Sequence, residues 1–171
     1  MPSKSPSEKI KQLALMGLML ALALIMSYVE VLIPIPFTVP GMKLGLPNLV
    51  VVLVLYQYGP GWALGINLMR IVISGFAFGG LSAILFSLAG AGLSYLCMLL
   101  LKKTGHFGIT GVSVIGGVTH NIGQLICAAL IVKTYGVAFF IAPLMVTGCI
   151  TGLALGAVAT VLRPVLRRMA T

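Results

Sequence analysis

Aspartate is absent from this chain of 171 residues, and the only acids are Glu8 and Glu30. Neither a carboxylate pair nor an Asp-rich site for Mg²⁺ and diphosphate can be assembled from them. Cysteine is scarce as well. Cys97, Cys127 and Cys149 sit in apolar runs and form no CxxC, so they read as packing residues, with no disulfide framework and no metal site. A Gly-x-x-x-x-Gly-Lys-Ser/Thr loop is missing too, which excludes ATP hydrolysis in the P-loop manner. These absences point to a binding protein without a catalytic centre, a metal or a cofactor of its own.

What the chain does contain is apolar surface. Hydrophobic residues make up 60% and charged residues only 8%, the composition of a protein dissolved in a lipid bilayer. The net charge of +9 would suggest nucleic acid in a soluble protein. Here the basic residues cluster at the ends of apolar runs, where they set topology and meet anionic headgroups, so no nucleic acid is expected.

The pattern predicts an all-α membrane protein: one compact bundle of six transmembrane helices. Residues 1–8 read as a disordered tail, 9–163 as the transmembrane domain and 164–171 as a basic C-terminal tail. Span 1 is expected at about Ile10–Ile33. A segment with three prolines and two glycines follows and must be a loop. Short span 2 runs from Pro47 to about Tyr58, and span 3 from about Trp62 to Phe78, broken by Gly79-Gly80. Span 4 is about Leu81–Leu101, span 5 Ile109–Val132 and span 6 Val137–Leu162. With six spans, Lys4, Lys9, Lys11, Lys102, Lys103, Arg163, Arg167 and Arg168 share a side, and only Lys43 and Lys133 lie opposite. That bias places both termini in the cytoplasm and the protein in the cell (inner or plasma) membrane.

Two stripes of small residues stand out. Gly148, Gly152 and Gly156 are spaced by four and fall on one face of span 6, as for close helix packing within the bundle. Ala14, Gly17 and Ala21 form a similar stripe on span 1, a terminal helix, and suit docking of another membrane helix. Met16, Met19 and Met26 would add adaptable contact surface, or simply core.

Polar residues inside the spans are costly in hydrocarbon and therefore informative. Span 5 carries Thr119, His120, Asn121 and Gln124 near mid-membrane, on adjoining helix faces. They form either a ligand-binding face or a structural network. Arg70 is the only charge deep in a span and cannot lose its proton. It pairs with Glu30, or it meets an anionic group of a substrate, with Asn67 one turn earlier on the same face. Lys43 and Asn48 flank the Pro-rich loop, which is preorganised to cap a pocket.

Four segments then resemble one family: Pro40-Gly-Met-Lys-Leu-Gly-Leu-Pro-Asn48, Asn67-Leu-Met-Arg70, Ser87-Leu-Ala-Gly90 and Gly116-Gly-Val-Thr-His-Asn-Ile-Gly-Gln124. The chain is similar over about Lys9–Leu162 to the bacterial membrane family labelled heptaprenyl diphosphate synthase component I, or Gx transporter. That family is grouped with the substrate-binding S components of energy-coupling factor transporters. The resemblance implies a gate over Pro34–Leu46 and a site for a vitamin or related small metabolite in spans 4 to 6. It also implies docking of a membrane coupling subunit through Ala14, Gly17 and Ala21, with two separate ATPase subunits. The alternative is a non-catalytic accessory subunit of a prenyl diphosphate synthase.

Overall fold

A computed structural model describes residues 5–33, 43–133 and 135–170. Most of the expected gate, residues 34–42, lies outside the described residues. The fold is all-α: α1 is Pro6–Leu32, α2 Asn48–Gln57, α3 Pro60–Ser74, α4 Gly80–Thr104, α5 Ile109–Val132 and α6 Ile141–Ala170. A π-helical turn, Gly75–Gly79, joins α3 to α4, and a 3₁₀ turn, Tyr135–Phe140, precedes α6.

Local chemistry explains most boundaries. Ser5 accepts from the Glu8 amide while the Glu8 carboxylate accepts from the Ser5 amide, a reciprocal cap that starts α1 at Pro6. The helix therefore enters the segment expected as a tail. Gly59 at φ 95° and Pro60 separate α2 from α3, and left-handed Gly105 ends α4. At the other end of the chain α6 runs through Pro164 to Ala170. Proline there removes one helical bond, but Leu166 is buried in the core and Arg163 lies over the Tyr56 ring. Both flanking turns are thus held by packing.

The six-span count is not carried by helix length. Four stretches among the described residues are long and apolar enough to cross a bilayer: Pro6–Leu32, Pro60–Thr104, Ile109–Ile131 and Ile141–Arg168. They fit a multi-pass membrane protein. Helix α2 has ten residues, about 15 Å at helical rise against a hydrocarbon core of about 30 Å. Its residues 48–55 are all buried, so it is a short core helix enclosed by its neighbours. The 45-residue stretch Pro60–Thr104 is not a straight rod. A straight helix separates residues nine apart by about 13 Å, yet a β-carbon on Gly75 would collide with the Ile84 side chain. The chain folds back at the π-turn, and Gly80 at φ 77° completes the break.

Helices α4, α5 and α6 form the tightest part. Gly148, Gly152 and Gly156 all face α5. A β-carbon on Gly152 would lie 2.6 Å from the Val114 Cα, and one on Gly156 2.7 Å from the Thr110 Cα. Gly123 approaches the α4 backbone as closely, 2.6 Å from the Ala89 carbonyl oxygen, and Ser94 Oγ donates to the Gly116 carbonyl at 2.8 Å. Backbones in such contact gain dispersion and lose no side-chain freedom. On α1 the small stripe is different. Ala14, Gly17 and Ala21 are exposed, and a β-carbon on Gly17 would meet nothing within 4 Å. Met16 and Met19 point the other way, into the core, so they belong to internal packing and not to an outward contact surface.

Candidate functional site

Polar side chains buried inside this bundle converge around the start of α2. Helix α5 contributes His120, Asn121 and Gln124, each at most 1% exposed. One turn apart, the Gln124 Nε2 and His120 Nε2 lie 2.8 Å from each other. The Lys43 amide donates to Gln124 Oε1 at 3.0 Å. An amide N–H can only donate, so the Gln124 oxygen is fixed toward Lys43 and its NH₂ toward the imidazole. His120 Nε2 is then the acceptor, and the ring is neutral with its proton on Nδ1. That Nδ1 faces the α4 backbone near Gly90 but completes no hydrogen bond there.

The loop entering α2 lies directly on this pair. Gly45 takes φ 86°, and a β-carbon there would sit 3.1 Å from the His120 ring and 3.0 Å from Asn48 Nδ2. Glycine is required for both reasons. Glu30, near the end of α1, holds the same loop: its Oε1 accepts from the Gly45 amide and, at 3.1 Å, from the Leu46 amide. The carboxylate therefore serves the loop backbone rather than a hydrogen-bonded pair with Arg70, although each charge lies in the other's field. On α3, Arg70 is 1% exposed and its Nε donates to Asn67 Oδ1 at 3.0 Å. Lys43 is buried too, with Nζ 6.0 Å from the Phe78 ring centroid. Burial draws its ammonium below the usual lysine range, Glu30 opposes that shift, and Arg70 adds to it.

Several of these groups have unused hydrogen-bonding capacity. Among the described residues, Glu30 Oε2, both side-chain polar atoms of Asn48, one Arg70 Nη, His120 Nδ1 and Asn121 Oδ1 are buried without a partner. Such atoms are expensive in a bundle interior, and natural proteins leave few of them. Their concentration around one point marks a place where a polar molecule would complete the bonding.

Of the residues singled out from sequence, the structure gathers His120, Gln124, Lys43, Asn48, Arg70 and Asn67 in one region. Asn121 is divided: its Nδ2 donates to the Leu144 carbonyl at 2.7 Å and ties α5 to α6, while its oxygen stays free. Thr119 turns away, its hydroxyl donating to the Ile115 carbonyl of its own helix at 2.6 Å. Glu30 as the loop's anchor, and Gly45 and Gly90 as the glycines that let loop and α4 close on His120, were not evident from the sequence. The positive φ at Gly45 is the kind of signal only a known turn geometry could have supplied. No group of three or more His, Cys, Asp or Glu that could hold a metal occurs among the described residues.

Fold and site together define an all-helical protein of membrane type, with a buried polar cluster between α1, α2, α3 and α5. The chain belongs to the family described as heptaprenyl diphosphate synthase component I, whose model matches residues 19–162. No curated protein and no solved structure matches it.

Proposed function

We propose that this chain is a membrane-embedded substrate-binding subunit for uptake of a small metabolite, of the S-component type and without catalytic activity. The observation that carries this reading is the set of unpartnered polar atoms around His120, Asn48 and Arg70. A ligand bound there is oriented by the His120–Gln124 pair and capped by the loop that Glu30 and Gln124 hold. In this reading the chain crosses the cell membrane six times, the short α2 and the loop before it making one crossing inside the bundle, with both termini cytoplasmic. The exposed face of Ala14, Gly17 and Ala21 receives a membrane coupling subunit, and two separate ATPases supply the energy. The chain itself needs no cofactor.

The test is thermal unfolding of the purified protein in detergent against vitamins, nucleobases and amino acids. One compound is expected to raise the midpoint saturably, and His120→Ala and Gln124→Ala are expected to abolish that shift while leaving the folded fraction unchanged. Equal stabilisation of wild type and both variants would remove the site from where we place it.

The family description favours a second reading, a non-catalytic accessory subunit beside a soluble prenyl diphosphate synthase. The absence of Asp leaves the Mg²⁺-dependent step to the partner. Mixing the two chains is then expected to increase synthase turnover. No gain at a saturating amount of this protein rejects that reading.

A further inference from the structure

The binding reading above can be taken further, to the chemical class of the ligand. Arg70 and Lys43 are buried cations, and Glu30 is the one carboxylate near them. The region therefore carries an excess of one positive charge. Among the described residues the hydrogen bond of the Arg70 Nε goes to the neutral oxygen of Asn67, and one of its Nη atoms has no partner. Glu30 gives one oxygen, Oε1, to two loop amides, and its single charge balances only one of the two cations. A buried charge without a counter-charge is costly, and a single negative charge restores the balance.

Lys43 also borders a second feature. Its Nζ lies 3.9 Å from the β-position of Gly79 and near the Phe78 ring. Phe78 and Gly79 belong to an apolar cleft of about 250 Å³ at the π-turn, whose other walls include Gly75, Phe76, Leu81 and Ile84. An apolar cavity of roughly 150 Å³ already accommodates a benzene ring. The cleft is open toward the outer surface, where Phe76 and Leu81 are strongly exposed. Cationic cluster and apolar cleft thus meet at one lysine.

We propose that the ligand is a singly charged organic anion with a small apolar body, its acid group held by Arg70 and Lys43 and its body lying in the cleft beside Phe78. A diphosphate does not fit this description, since its two or more negative charges exceed the single positive excess.

The experiment uses the intact chain in detergent, with sodium benzoate, benzamide, sodium acetate and pyrophosphate as probes in thermal unfolding. Benzoate is expected to raise the midpoint saturably by several degrees. Acetate should do so less, for want of the body, and benzamide not at all, for want of the charge. Arg70→Gln should lose the benzoate shift, with Lys43→Gln as the second variant should Arg70→Gln fail to fold. Ala77→Trp, which fills the cleft, should reduce benzoate to the level of acetate. A shift with benzamide equal to that with benzoate, a larger shift with pyrophosphate, or no benzoate shift in the wild type overturns the proposal. The two readings separate cleanly: a neutral metabolite that stabilises through His120 and Gln124 keeps the binding function and removes only the anion.

Discussion

Gly152→Leu is expected to abolish the folded protein, whereas Gly17→Leu, the same substitution on a similar-looking stripe, is expected to leave it intact. At Gly152 even a β-carbon would lie 2.6 Å from the Val114 Cα and 2.8 Å from the Ser113 carbonyl oxygen. The obstacles are backbone atoms, which cannot rotate aside. Helices α5 and α6 would have to separate along the seam that Gly148 and Gly156 share. Overpacking that side chains can absorb costs about 1–3 kcal/mol, and a backbone clash repeated along a helix pair should exceed that range. At Gly17 a β-carbon meets nothing within 4 Å. Size-exclusion chromatography and thermal unfolding in detergent separate the two outcomes. A monodisperse Gly152→Leu protein with the wild-type midpoint would mean that α5 and α6 do not pack as described.

Glu30→Ala is expected to be the most damaging single change in the site. It removes the acceptor for the Gly45 and Leu46 amides and the only carboxylate in the field of Arg70. Removing one partner from a buried charged set costs about 3–5 kcal/mol. Glu30→Gln keeps an oxygen for the loop and loses only the charge, so its cost should be intermediate. Limited trypsin digestion gives an independent readout. Lys43 is the only Lys or Arg between Lys11 and Arg70 and is buried in the wild type. Freed by Glu30→Ala, the loop should be cleaved after Lys43 much faster, giving two fragments of predictable mass. Unchanged cleavage would show that Glu30 does not hold the loop.

The sequence made some of this legible and concealed the rest for identifiable reasons. Helix α5 begins and ends where expected, at Ile109 and Val132, because Gly108 before it and Lys133 after it interrupt a long apolar run. His120 and Gln124 could be placed together because helical periodicity alone puts residues four apart on one face. The number of crossings could not be read that way. An apolar run of about ten residues looks the same in a short enclosed helix as in part of a span, and α2 is too short to decide the count by its length. The two small-residue stripes differ in sequence only by their place, the terminal helix suggesting an outward face for Ala14, Gly17 and Ala21. Only the facing backbone tells that one is a seam and the other an open surface. Glu30 was legible as a charge that needed company, but a carboxylate offers two oxygens to any donor. Backbone amides 15 and 16 residues away leave no mark in composition or spacing. The expected end of span 6, Leu162, lies before Pro164, whereas α6 runs on to Ala170 with Leu166 packed in the core.

The glycine-to-backbone contacts among α4, α5 and α6 have a mechanical consequence. Helices in contact through side chains can slide as rotamers change, but helices in contact through their main chains have nothing to rearrange. These three helices therefore act as a single stiff wall, and His120, Asn121 and Gln124 are mounted on it. In the binding role proposed above, the displacement that admits a ligand falls on the opposite side, among α1, α2, α3 and the loop before α2, which the Glu30 carboxylate fastens. His120, Asn121 and Gln124 stay in place in that role, while Lys43 travels with the loop, whose seating on Gln124 brings its cation to the site.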